Sequence, residues 1–170
     1  MVFRIFGGLI RALRIWYHGS AGDESPNKDD VKTVDDLPSS CLRGLRLKNW
    51  IVGDLVATEA FIPDPKTAEY RQDGGSETSV NWEDDASVLD FTLANRSAAQ
   101  HGAAQIDTVQ INHISRNVKS IAMPLLCERK QTEKNPYHGN IVYAATAPKY
   151  LQKLLAASLA LNSKLILPSK

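Results

Sequence analysis

The residue best placed to do chemistry is His138. It closes the turn Asn135-Pro136-Tyr137-His138 and precedes a segment that reads as a strand, where a side chain can face a cleft. An imidazole titrates at about pH 6.5, so it can act as acid or base at neutral pH. The plainer alternative is a turn histidine bonded to a backbone carbonyl. His113 and Arg116 lie in Asn112-His113-Ile114-Ser115-Arg116, which reads as the end of a strand. Together they could hold a phosphate, because a guanidinium offers paired N–H groups to its oxygens. His101 adjoins Gly102 at a helix-stop signal, where a cation is favoured in any case. The histidines have the open spacing of unrelated positions rather than the tight spacing of a metal site, and no metal is expected. The acids Glu77, Glu83, Asp84 and Asp85 are of the type that chelates Mg²⁺. Duty at the start of a helix explains the last three more simply. There is no G-x-S-x-G, no phosphate-cradling loop and no paired CxxC, so no cofactor is expected.

These residues need elements to hold them. Leu42, Leu45, Leu47, Trp50 and Ile51 suggest a short helical piece. Val56 to Ile62 reads as a first strand, ended by Pro63 and Pro65. Glu77 to Trp82 alternates, with Thr78, Val80 and Trp82 on one side. A helix is predicted from Glu83 to about Gln100. Ala103 to Ile114 reads as a third strand whose alternation slips between Ile106 and Val109, Val118 to Cys127 as a fourth, and Gly139 to Ala145 as a fifth. Pro148 then suits the first turn of a helix whose apolar side is Leu151, Leu154, Leu155, Leu159 and Leu161. The order is β-β-α-β-β-β-α. This is an α+β domain, with a mostly antiparallel sheet of about five strands and two main helices on one face.

The chain has 170 residues, 43% hydrophobic and 23% charged, enough apolar content to exclude a wholly disordered chain. Three regions are expected: a basic amphipathic helix over 1–18, a flexible linker over 19–40 and a single domain over 41–170. The net charge of +1 hides a polar molecule. Residues 53–90 hold ten acids against Lys66 and Arg71, whereas the tail from Lys149 onward has four lysines and no acid. On a helix, Arg4, Arg11 and Arg14 fall near one face and Trp16 among the apolar residues, a pattern that fits a membrane surface or a partner's groove. Arg11 and Arg14 interrupt the apolar stretch, which argues against a secretory signal. Cys41 and Cys127 form no metal motif and read as reduced, packed thiols, which points to the cytoplasm, with residues 1–17 as a route to membrane association. Arg116, Lys119, Arg129, Lys130 and Lys134, with Tyr137 and Tyr143 as stacking faces, would be the basis of nucleic-acid binding, but no nucleic-acid motif is present.

Three stretches carry a resemblance. They are EAFIPDP followed by a glycine turn and ETSVNWE, then HGAAQI, then NPYHGNIVY. Over residues 57–143 the chain resembles an uncharacterised family of small bacterial proteins with an Asn-Pro-x-His turn. That resemblance implies a domain boundary and no particular activity. Three functions remain open. The first is a small accessory or regulatory protein that docks on a protein partner. The second is a small hydrolase or transferase acting on a nucleotide or RNA, with His138 as acid/base, Arg116 as phosphate holder and His113 beside it. The third is a peripheral membrane protein anchored by residues 1–17.

Overall fold

The computed structural model describes residues 37–169. The expected N-terminal helix, with Arg4, Arg11, Arg14 and Trp16, and the linker up to residue 36 lie outside the described residues. In chain order the elements are β1 (Ser40–Gly44), the small hairpin of β2 (Ile51–Val52) and β3 (Leu55–Val56), β4 (Ser76–Trp82), α1 (Ser87–Ala94), β5 (Ala103–Asp107), α2 (Thr108–Asn117), β6 (Leu125–Arg129), β7 (His138–Tyr143), α3 (Lys149–Leu161) and β8 (Lys164–Ile166). Six strands form one sheet in the order β6-β7-β4-β1-β5-β8, and every neighbouring pair is antiparallel. The protein is therefore α+β, as its pattern of elements implies.

β4 is one of the two middle strands, and its sequence alternates cleanly. Ser76, Thr78, Val80 and Trp82 are buried on one face, while Glu77, Ser79 and Asn81 point to the other. β7 pairs with it along its whole length, from Ser76 opposite Tyr143 to Asn81 opposite His138. On the Trp82 face, α2 and α3 cover a core that includes Cys41, Ile106, Ile141, Tyr143, Leu155 and Leu159. Full burial of each large side chain there contributes about 1.5–3 kcal/mol. The two largest buried side chains have their polar tips satisfied: Tyr143 Oη donates to Phe61 O at 2.6 Å, and Trp82 Nε1 donates to Glu128 O at 3.1 Å. Gly139 is required beside Trp82, because a Cβ there would overlap the indole ring and Glu128 O. Both cysteines are free. Burial pushes the Cys41 thiol well up and that of Cys127 up to about 12, so both are poor nucleophiles at neutral pH.

Several elements differ from the sequence expectation, each for a local reason. The stretch from Leu42 is not helical but begins as β1, which also takes up Ser40 from the expected linker. β1 runs in the middle of the sheet, with Cys41 and Leu42 both fully buried on opposite faces, so it shows no alternation. Only a single turn of 3₁₀ helix follows, at Lys48–Trp50. The expected strand over 56–62 is β3 followed by another such turn, Thr58–Ala60. α1 stops at Ala94 rather than near Gln100 because Asn95 Oδ1 accepts from Ser97 Oγ at 2.8 Å and from the Ala98 N–H at 3.3 Å. The slip after Ile106 is a change of element: β5 ends at Asp107, and α2 buries Ile111, Ile114 and Ser115 at helical spacing. Residues 118–124 form a turn, not a strand, and β6 starts after Pro124. The last helix forms as expected, with Leu151, Leu155 and Leu159 buried but Leu154 and Leu161 exposed, and the three-residue strand β8 follows it. There are thus three α-helices among the described residues, and they do not share one face. α1 lies on the other side of the sheet, where Val88 packs with Leu42 and Ala103.

Candidate functional site

α1 covers only part of its face of the sheet. The uncovered remainder is a cleft of about 760 Å³. Glu77, Ser79 and Asn81 of β4 form its floor, the segment after α1 forms one side, the turn before β7 another, and residues 63–67 close one end.

The Asn-Pro-Tyr-His turn is fixed from both directions. Asn135 Oδ1 accepts the Tyr137 N–H at 3.1 Å, and the backbones of Thr132 and Asn135 bond to each other. Asn135 Nδ2 donates to Asn81 Oδ1 at 2.8 Å, Asn81 Nδ2 donates to Thr92 Oγ1 at 2.8 Å, and Thr92 Oγ1 donates to Val88 O at 2.8 Å. That chain of bonds ties the turn through the sheet to α1. Tyr137 adds an edge-to-face contact with Phe91, ring centroids 5.1 Å apart, and its hydroxyl lies 3.2 Å from Ser87 Oγ. The turn therefore clamps the helix that bounds the cleft.

His138 stands at the cleft wall, half-buried, opposite Asn81 in register. Burial lowers its pKa below the usual 6.5, the Lys130 charge lowers it further, and Glu77 partly opposes both. The imidazole is neutral at pH 7. Its ring makes no hydrogen bond to the described residues, so no carboxylate orients it and no hydroxyl or thiol is poised for activation.

At the other end, the sheet itself opens. β1 and β4 pair only at Cys41–Trp82 and Leu42–Asn81, then part. Arg43 fills the gap. Its Nη1 donates to Ser79 O at 2.8 Å and its Nε to Ala60 O at 3.0 Å. The guanidinium carbon lies 5.1 Å from the centre of the Trp50 ring, and that of Arg46 lies 5.4 Å from the same ring. Burial lowers the Arg43 pKa to about 10, with Arg46 adding repulsion. A different arginine, Arg71, is fully committed beside the far end of β4, to Asp73, Glu77 and Glu128.

The structure does not bring the sequence-chosen residues together. His138 lies in the cleft. His113 and Arg116 are exposed on α2, on the opposite face of the sheet, where His113 sits within 3.3 Å of Asn117 Nδ2. His101 is in the turn before β5, where its N–H donates to Leu45 O. The four acids are also dispersed. Glu77 bonds Arg71, Glu83 accepts from Ser40 Oγ and Gln105 Nε2, Asp84 pairs with Arg129, and Asp85 accepts the Ser87 N–H. No group of three or more potential metal ligands occurs among the described residues. The basic stripe proposed for nucleic acid loses its parts as well: Tyr143 is fully buried and Arg129 is paired with Asp84. Among the described residues no helix is long and apolar enough to cross a membrane.

The residues that sequence reasoning passed over are Arg43, Arg46 and Trp50. A signal was present: CLRGLRLKNWIV holds three bases and no acid between two acidic segments. The chain matches no family model, no curated protein and no solved structure. The resemblance of residues 57–143 to small bacterial proteins rests on the quoted motifs alone.

Proposed function

We propose that the domain is a non-enzymatic interaction module and that the cleft is its recognition surface. The observation that carries this reading is an open cleft whose floor amide, Asn81, is fixed between Asn135 and Thr92, beside a histidine that has no catalytic companion among the described residues. Polar groups held in place by their own hydrogen bonds select a ligand without needing to move. The partner is a protein segment that adds its own donors and acceptors to Ser79 and Asn81. Residues 1–17 would supply a second contact, to that partner or to a membrane surface.

Ser79 is exposed on the cleft floor, so Ser79→Trp fills the cleft from outside the core. Affinity capture with the full chain is expected to retain specific proteins with the wild type and with His138→Ala, and to lose them with Ser79→Trp. Equal capture by Ser79→Trp overturns the reading. A hydrolase or transferase activity on nucleotides or RNA that disappears in His138→Ala replaces it with the enzymatic one. Co-sedimentation with liposomes that is lost when residues 1–17 are removed assigns the N-terminal contact to a membrane.

A further inference from the structure

Two guanidinium groups lie against the Trp50 ring at one end of the cleft, and neither has a counter-ion among the described residues. The ion pairs among the described residues belong to Arg71 and Arg129; neither Arg43 nor Arg46 makes one. Three carboxylates also line the cleft. Glu77 is bonded to Arg71, Asp64 accepts the Lys66 N–H at the start of the 3₁₀ turn Pro65–Glu69, and Glu59 is exposed and pairs with neither arginine. Arg43 is half-buried: it uses Nε and Nη1 on two carbonyls and leaves Nη2 open to solvent with no partner among the described residues.

We propose that Arg43 and Arg46 form an oxyanion subsite at this end of the cleft, which takes a phosphate or carboxylate group of the bound partner. The subsite rests on the cleft reading for its place in a larger ligand, not for its own chemistry. The two carbonyl bonds fix the plane of the Arg43 guanidinium before any ligand arrives, so little rotamer freedom is lost on binding. Trp50 lies against both guanidinium groups and holds two like charges near one another. An oxyanion between them removes their repulsion and gives the free N–H groups strong, charge-assisted acceptors. Lysine at position 43 would keep the charge and lose the fork that both carbonyls and the anion use.

The test uses the full chain and two small probes, pyrophosphate and tricarballylate, titrated by calorimetry at low ionic strength. Saturable binding is expected for at least one of them. Pyrophosphate alone assigns a phosphate, and tricarballylate alone a carboxylate. Arg46 is exposed, so Arg46→Gln is expected to keep the wild-type melting temperature and to weaken binding about tenfold or more. Arg116→Gln, on the far face, is expected to bind as the wild type. Absence of saturation with both probes, or unchanged affinity in Arg46→Gln, overturns the subsite. If capture still responds to Ser79→Trp in that case, the cleft reading stands alone. If Arg46-dependent probe binding persists while capture ignores Ser79→Trp, the subsite stands and the module reading falls.

Discussion

Arg71 and Arg43 are both half-buried arginines that bond to β4, one through a side chain and one through the backbone, and their surroundings are opposite. Arg71 donates from Nε to Asp73 Oδ1 at 2.9 Å, from Nη1 to Glu77 Oε2 and Glu128 Oε2 at 2.9 Å each, and from Nη2 to Asp73 Oδ2 at 2.7 Å and Glu128 Oε1 at 2.9 Å. All five of its N–H groups meet carboxylate oxygen. Arg43 meets two backbone carbonyls and the Trp50 ring, against which Arg46 also lies. The first arrangement consumes the positive charge to hold a loop against β4 and β6. The second orients a charge and leaves it without a carboxylate partner among the described residues. A half-buried arginine is thus informative less by its burial than by what its nitrogens touch.

The largest expected effect comes from removing the satisfied member. Arg71→Met keeps the length of the side chain but leaves Asp73, Glu77 and Glu128 facing one another, with the buried Asn140 side chain donating to Glu77. Uncompensated carboxylates in a partly buried site are costly, and a loss of about 3 kcal/mol in urea unfolding at pH 7 is expected. The loss should shrink in acid. Arg71 holds the Asp73 carboxyl below its ordinary value, so that contribution is complete above about pH 4 and disappears as pH falls through the lower, folded value. A gap between wild type and variant that stays constant down to pH 2 would show that the ion pairs do not carry the effect.

How far these two arginines were legible in the sequence follows from where their partners are. Arg71 finds Asp73 two residues away and Glu77 six away, but Glu128 fifty-seven away on another strand. Periodicity does not encode a contact of that kind. β4, β7 and α3 were legible because each buries one face and alternates or repeats accordingly, or carries an unbroken apolar run. β1 was not, since it is apolar on both sides, and its Leu42, Leu45 spacing imitates a helix. The same misreading hid Arg43, which gains its meaning only where β1 and β4 part. His138 does line the cleft, but His113 and Arg116 belong to a helix on the other face, where the sequence pattern suggests the end of a strand.

A smaller effect is expected at Arg43. Arg43→Met removes two charge-assisted bonds to carbonyls, each worth about 1.5–3 kcal/mol, but also removes the cost of a half-buried charge with no ion-pair partner among the described residues. The two changes oppose each other, and a net loss of about 1 kcal/mol is expected by the same urea measurement. A loss as large as that of Arg71→Met would mean that the Arg43 charge is neutralised in the folded protein by something other than a ligand, and the contrast between the two arginines would collapse.

The smallest effect sharpens the comparison from the opposite side of the cleft. His138 and Arg43 are both bases whose proton affinity is lowered first by burial and then by a neighbouring cation, Lys130 in one case and Arg46 in the other. The cleft therefore has a cation beside each of two separate walls, whereas the Arg71 cluster, with three carboxylates to one guanidinium, is negative. For His138 the linkage has a definite sign. Its folded pKa lies below the unfolded value of about 6.5, so between the two values the unfolded chain binds more protons and stability rises with pH. The protein should lose a little stability as pH falls from 7 through that window, and His138→Gln should flatten the slope. An NMR titration of the ring is expected to give a pKa below the ordinary imidazole value. Lys130→Gln should raise the His138 value, and binding of pyrophosphate beside Arg43 should raise it as well if the anion's field reaches along the cleft. A His138 titration that ignores Lys130→Gln would leave burial as the only cause and would separate the two walls of the cleft electrostatically.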